Sequence, residues 1–160
     1  MTTLESLSDQ LAIAEAVARL ATTQDAHDWA GLRALLTERV HLDLSRHLDV
    51  PAVEVSADDF TSRARAVAEG FTVTHHLTSN LVIDLAGTQA TCSAHVLAYH
   101  YLADRPAAGT QICVMRGTWD LRMRKTGTRW LIERIAVTRT APLEGNAHLY
   151  THAATAKRSS

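Results

Sequence analysis

Residues 89–102, QATCSAHVLAYHYL, carry the alternation that decides the fold. Small or apolar side chains occupy every second position from Cys92 to His100, and successive side chains of a strand point to opposite faces. The segment therefore predicts a strand whose small, apolar face ends in a histidine. Strand-like patterns also cover residues 72–84, 110–125 and 129–140, and the short, glycine-bearing joins between them predict an antiparallel meander.

The residues before this sheet have helical periodicity. Ser8 is a favourable N-cap, and apolar residues recur at helical spacing from Leu11 onwards. A second, short helix is predicted over residues 29–36. A third begins after Ser56, which starts a variant capping box, and ends before Gly70.

Helices followed by a long sheet predict an α+β domain. A short alternating strand over residues 40–44 interrupts the helical part. We expect three N-terminal helices packed on a strongly curved, mainly antiparallel sheet. Because a long sheet twists, it can curl over the helices into a cone that encloses a hydrophobic pocket.

The composition limits the domain count and the classes of partner. The chain has 160 residues, 46% of them hydrophobic, and a formal net charge of −1. One domain over residues 1–140 is predicted, with a partly ordered tail at 141–160. The near-zero charge argues against a nucleic acid partner. Since neither a signal peptide nor an apolar run of about 18 residues is present, we expect a cytoplasmic protein that binds no membrane.

Nine histidines are present, and most of them need no special role. Five lie in the polar first half or in the tail and are expected to be solvated: His27, His41, His47, His148 and His152. His100 lies at the end of the small apolar face of its strand. It is either a pocket residue or a core histidine bonded to a backbone carbonyl, and the pattern leaves both interpretations open.

The adjacent pair His75 and His76 point to opposite faces of their predicted strand. Simple alternation groups His75 with Leu77 and Ile83, which favours His75 as the inward residue. A bulge near residues 78–79 would reverse that assignment. The pattern alone leaves the choice open.

Asp25 follows Leu11 by 14 positions, close to four helical turns, and so lies near the buried stripe of the first helix. A carboxylate on that face needs a partner, because an unpaired buried charge is costly, and a strand histidine would supply one. Cys92 and Cys113 are interpreted as reduced core thiols, with a disulfide left open. No ligand spacing typical of a metal site occurs, and we expect neither metal nor cofactor.

Several of these segments resemble a known family. The runs QDAHDWAGLR (24–33) and VHLDL (40–44) are similar to scytalone dehydratases. THHLTSN (74–80) and GTRWLI (127–132) resemble the broader SnoaL-like group of polyketide cyclases, dehydratases and dehydrochlorinases, part of the nuclear-transport-factor-like superfamily. The resemblance covers roughly residues 8–140.

The resemblance implies three catalytic residues: Asp25, His76 and His100. It thereby favours His76 over His75. The positions of two dehydratase tyrosines that hold a water are occupied by Gln24 and Leu44, and a pocket asparagine is replaced by Trp119, so scytalone dehydration itself is not implied. The expected substrate-binding residues share no single motif and are Gln24, Leu44, Met115, Trp119 and Leu121.

The implied chemistry is general acid–base catalysis in an apolar pocket. His76 would remove a proton from carbon, Asp25 would orient it, and His100 would donate to a leaving hydroxyl or an oxyanion. Elimination or cyclisation of a polyketide- or terpenoid-like molecule is the first expectation. A ketosteroid-type isomerase and a non-catalytic ligand-binding or assembly domain are the alternatives. A homodimer through the sheet is predicted from the outward apolar residues Leu97, Tyr99, Tyr101, Ile112 and Val114.

Overall fold

The structure is a computed structural model that describes residues 3–103 and 111–149. The elements, in chain order, are α1 (Leu4–Asp25), α2 (Trp29–Ala34), β1 (Leu36–Asp43), α3 (Ser45–Leu48), β2 (Val53–Ser56), α4 (Ala57–Ala68), β3 (Val73–Ala86), β4 (Gln89–Tyr101), β5 (Ile112–Thr126), β6 (Arg129–Arg139) and β7 (Glu144–Gly145). None of the described helices is both long and apolar enough to cross a membrane.

The strands form one curved, unclosed sheet in the order β2-β1-β6-β5-β4-β3, and β7 pairs with β5. Neighbours are antiparallel except β1 and β6, which run parallel. The helices pack on the concave side, which confirms the predicted α+β cone. The meander of β3 to β6 follows the predicted pattern. The insertion of β1 between β2 and β6 was not predicted, because that pairing joins segments far apart in the chain.

The helix boundaries differ from the sequence-based ones in three places. Helix α1 begins at Leu4 because Thr3 caps it, its hydroxyl accepting a hydrogen bond from the backbone N–H of Ser6 at 3.1 Å. Ser8 is therefore inside the helix and is not its cap. Helix α2 ends two residues early, and the four-residue helix α3 was not predicted. Ser56 does cap the next helix, since its hydroxyl accepts from the N–H of Asp59 at 3.0 Å.

The small apolar face of β4 is buried as predicted. Every second side chain from Cys92 to His100 is at most 3% exposed. The apolar residues of this face belong to the same core cluster as the buried residues of helix α1. The N-terminal part of α1 is held by Asp9, which accepts hydrogen bonds from Trp130 Nε1 and Lys125 Nζ, both at 2.9 Å. These contacts hold the helix on the β5–β6 hairpin.

Strand β3 contains a bulge. Ser79 pairs with His95, but the next aligned pair is Val82 with Ser93, so three steps on β3 match two on β4. Asn80 adopts a left-handed conformation there, with φ 52°. The bulge reverses which residues face inward along the strand, as such insertions do.

Part of the predicted tail belongs to the packed domain. Strand β7 extends the sheet beside β5, and Leu149 is buried against Phe71 and Cys113. The predicted turn at residues 106–109 and the tail beyond residue 149, including His152, lie outside the described residues.

Gly117 faces inward on β5, and a Cβ added there would overlap the carbonyl oxygen of Thr138 on β6. We expect Gly117→Ala to lower the free energy of unfolding by about 1–3 kcal/mol, because overpacking a close backbone contact forces the strands apart. Urea unfolding measures the change. Ser93→Ala, on the outward face of β4, is the control and should change it by less than about 0.5 kcal/mol. Equal stability of Gly117→Ala and the wild type would contradict the prediction.

Candidate active site

Asp25, the last residue of α1, binds strand β3 through three hydrogen bonds. Its Oδ1 lies 2.6 Å from His76 Nδ1 and accepts from the Thr74 hydroxyl at 3.0 Å. Its Oδ2 accepts from the backbone N–H of His76 at 2.8 Å. Because a carboxylate only accepts, Nδ1 of the neutral His76 ring carries the proton and Nε2 is left unprotonated.

His76, and not His75, is the inward residue. The side chain of His76 is 12% exposed, whereas that of His75 is 64% exposed and its Nδ1 stays 4.0 Å from Asp25. The alternation count that favoured His75 is wrong because the β3 bulge lies between the histidines and Ile83, the residue used to set the phase. The resemblance favoured His76, which is the residue that faces inward.

His76 opens onto a cavity of about 720 Å³. Its walls come from α1, α3, α4 and the concave face of the sheet, and they are mostly apolar. Asp25 does not line this cavity and lies behind the His76 ring. The main polar side chains of the wall are Gln24, His47, Arg63, Thr74, His76 and His100.

Asp25 stays ionised although burial, the largest single influence on its pKa, acts against the charge. Removal of the carboxylate from water raises its pKa, but the hydrogen bonds from His76 and Thr74 and the nearby imidazole outweigh this effect. The net result is a pKa below the usual range, so the carboxylate stays ionised across the neutral range. An ionised Asp25 can hold the His76 tautomer and stabilise an imidazolium formed beside it.

His100 is 2% exposed and lies beside the pair, on the neighbouring strand β4, where it is aligned with Thr74. Its ring centre is 5.9 Å from that of His76, at nearly a right angle, and 4.8 Å from that of Phe71. Nδ1 of His100 lies 3.3 Å from the carbonyl oxygen of Cys113. Burial, followed by the nearby His76, lowers the pKa of His100 to about 4, so the ring is neutral at physiological pH.

His47 was predicted to be solvated, and that prediction is wrong. It is 5% exposed, lies on α3 and lines the cavity. Burial, together with the charge of Arg139, lowers its pKa to about 4. Polar neighbours along the chain gave no sign of this, because the position of α3 at the cavity depends on the long-range pairing of β1 with β6. Of the other histidines expected to be solvated, His27 and His148 are exposed.

Four of the five predicted substrate-binding residues line the cavity: Gln24, Leu44, Met115 and Trp119. Trp119 lies 5.8 Å from His76, centre to centre. The amide of Gln24 donates to the carbonyl of Leu20 at 2.6 Å, which fixes it against α1. Leu121 is not part of the wall. It shares the strand face but is a core residue, 3% exposed, further along β5.

Both cysteines are free and buried. Burial raises the pKa of Cys92 to about 11, and it also raises the pKa of Cys113. A thiol must ionise to attack as a nucleophile, so neither residue suits that role near neutral pH.

The chain belongs to the SnoaL-like domain family, whose model matches residues 5–136. The matched range spans the contact of Asp25 with β3 and every residue that lines the cavity except Val137. No curated protein matches the chain.

Solved structures share the fold over nearly the whole chain. A protein from Kribbella flavida is 26% identical, with a TM-score of 0.83, covering 91% of this chain and 99% of its own. A candidate scytalone dehydratase from Novosphingobium aromaticivorans is 22% identical, with a TM-score of 0.71, covering 84% and 86%. A type 3 hexachlorocyclohexane dehydrochlorinase from Novosphingobium barchaimii is 11% identical, with a TM-score of 0.72, covering 91% and 95%.

The buried histidines His47 and His100 should make the free energy of unfolding depend on pH. Their folded pKa of about 4 lies below the usual value of 6.5, so below about pH 6.5 the unfolded chain binds protons that the folded protein does not. Stability should therefore fall as the pH drops from about 6.5 towards 4, with each ring contributing up to about 1.4 kcal/mol per pH unit.

Urea unfolding over this pH range measures the slope. His47→Gln should make it shallower, whereas the exposed His148→Gln should leave it unchanged. An identical slope in His47→Gln and the wild type would contradict the buried, neutral state of this residue.

Proposed function

We propose that this protein catalyses elimination or cyclisation of a hydrophobic, polyketide- or terpenoid-like small molecule, with Asp25-oriented His76 as the general base. The observation that carries the proposal is the 2.6 Å contact between His76 Nδ1 and Asp25 Oδ1 at the wall of a large apolar cavity. Dehydratases and dehydrochlorinases, named among the solved neighbours, carry out eliminations of this type, which supports a lyase.

In the proposed reaction, Nε2 of His76 takes a proton from a carbon next to an activating group. The electron pair of the broken C–H bond forms a double bond, or in a cyclisation it attacks a carbonyl carbon of the same molecule. The π pair of that carbonyl then moves to its oxygen, which takes the proton back from His76. In an elimination the leaving group departs with its bonding pair. Asp25 stabilises the imidazolium, which would otherwise be a positive charge in an apolar site.

We assign His100 a hydrogen-bonding role. A carbonyl only accepts, so the 3.3 Å contact with Cys113 favours the tautomer with the proton on Nδ1. A pKa of about 4 makes full proton delivery from His100 unfavourable at neutral pH. We therefore propose that His100 positions a substrate oxygen, and that a leaving hydroxyl receives its proton from the imidazolium of His76. A leaving halide needs no proton.

The isomerase alternative has less support. A ketosteroid-type isomerase uses a carboxylate base that reaches the substrate, but the described residues that line this cavity include no aspartate or glutamate. In a purely ligand-binding domain, the Asp25–His76 contact would serve only to hold α1 on β3. The mutations below separate binding from turnover.

We expect His76→Ala and Asp25→Asn each to lower turnover by roughly 10²–10⁴-fold, because general base catalysis and its orientation are lost. The double mutant should lose little more than the worse single mutant, since the two residues act as a unit. Turnover is measured with candidate β-hydroxy and β-halo carbonyl compounds, and binding of the same compounds by calorimetry. Full turnover by His76→Ala would disprove the proposed base.

The tautomer of His76 gives a control that needs no substrate. Long-range ¹H–¹⁵N spectra should show the neutral wild-type ring protonated on Nδ1. Asp25→Asn should shift the population towards Nε2 protonation, since an amide can also donate to the ring. A wild-type ring protonated on Nε2 would contradict the proposed orientation.

We further propose a homodimer through the outward face of the sheet. Leu77 and Leu97 pair there in register, as do Tyr99 and Val114, and Leu77 is 51% exposed. Light scattering at micromolar concentration should give twice the chain mass of 17.5 kDa. Leu97→Glu should give the single-chain mass with unchanged circular dichroism. A wild-type protein of single-chain mass would contradict the dimer.

A further inference from the structure

Arg63 is the one permanently charged side chain among the described residues that line the cavity. It lies on α4, where Ala64, Val67 and Ala68 continue the wall. The apolar surface of the helix therefore leads from the guanidinium into the cavity. The side chain reaches solvent as well, so it lies at the mouth.

This guanidinium has no partner within the described part of the chain, where it makes neither an ion pair nor a hydrogen bond. Neighbouring arginines differ in this respect. Arg65, two positions along the same helix, lies 2.6 Å from Glu69, and Arg33 binds both Glu38 and Asp58. A charge that faces an apolar cavity and has no internal partner is available to a ligand.

A second positive charge acts on the same wall. Besides burial, the charge of Arg139 contributes to the lowered pKa of His47, a residue of the cavity wall. Among the described residues, the carboxylate bonded to His76 is that of Asp25, and its hydrogen bonds all come from Thr74 and His76. The permanent charge on the described cavity wall is thus positive, whereas the carboxylate of Asp25 lies behind the base and outside that wall.

We propose that Arg63 binds an anionic group, a carboxylate, on a substrate whose apolar body fills the cavity. This inference builds on the proposed function, since it specifies the substrate class of the same site. A guanidinium pairs with a carboxylate through two parallel N–H···O bonds, which fix orientation as well as position. Arg63 at the mouth and His76 inside would then hold the two ends of one molecule. Arg63 is a specificity-determining residue in this arrangement.

The test uses two dyes that share one body. Anilinonaphthalene sulfonate is anionic, and N-phenylnaphthylamine is the same aromatic body without the sulfonate. Wild-type protein should bind the anionic dye more tightly, and salt should weaken that binding through screening. Arg63→Gln should raise the dissociation constant of the anionic dye by about tenfold, or 1.4 kcal/mol. It should leave the dissociation constant of the neutral dye within about twofold of the wild-type value. Arg63→Lys should retain most of the preference, because the charge remains.

Arg46→Gln is the matched control. Arg46 is an exposed arginine on the neighbouring helix α3 and does not line the cavity. The Arg46→Gln substitution should leave the binding of both dyes unchanged. The proposal is overturned by any one of three results: no preference for the anionic dye in the wild type, equal losses for both dyes in Arg63→Gln, or the same loss in Arg46→Gln.

His76→Ala separates this proposal from the proposed function. If both are correct, His76→Ala keeps the dye preference and loses turnover, whereas Arg63→Gln raises KM for an anionic substrate and leaves kcat nearly unchanged. Retained turnover in His76→Ala with an intact dye preference rejects the proposed base alone. Lost turnover in His76→Ala without any preference in the wild type rejects the role of Arg63 alone.

Discussion

Three hydrogen bonds from strand β3 end on the carboxylate of Asp25, and the arrangement of the cavity depends on them. Strand β3 is an edge of the sheet, so every second backbone N–H faces away from β4 and lacks a strand partner. Asp25 accepts one of these, from His76, and so joins the end of α1 to that edge. The contact that holds the helix on the sheet also sets the rotamer and tautomer of the proposed base. Structure and proposed chemistry thus share one carboxylate, which is why asparagine is a better test substitution there than alanine.

Strand alternation predicted the inward face correctly for β4 but not for β3, and the bulge on β3 is the reason for the difference. Alternation predicted the buried face of β4 correctly because the strand pairs without interruption from Gln89 to Tyr101. The same count on β3 selected His75, because it assumed a constant phase up to Ile83. The extra residue near Asn80 breaks that phase, so His76 and Ile83 face inward although they are an odd number of positions apart. Local sequence at the bulge offers only a weak signal, and the resemblance was needed to choose His76.

Residues brought together by long-range topology were the hardest to predict. The inward face of β5 was expected to supply cavity walls, and Met115 and Trp119 do so, but Leu121 lies too far along the strand and packs in the core. Conversely, His47 belongs to a four-residue helix without a periodic pattern, and it reaches the cavity only because β1 pairs with β6 from the other end of the chain. The face of a strand on which a residue lies is a local property and follows from alternation. How deep that residue lies within the cone depends on the pairing of the whole sheet.

Burial and neighbouring charges keep two of the three cavity histidines, His47 and His100, neutral near pH 7. His100 resists protonation because it is buried and because a charge on His76, with ring centres 5.9 Å apart, acts against it. His47 resists it through burial and the charge of Arg139. Of the three histidines that line the cavity in the described part of the chain, His76 is the one in contact with an ionised carboxylate, and the proposed reaction would place the transferred proton beside that carboxylate. A site of this kind favours a reaction in which one group removes a proton and the same group returns it, or in which the leaving group departs as an anion.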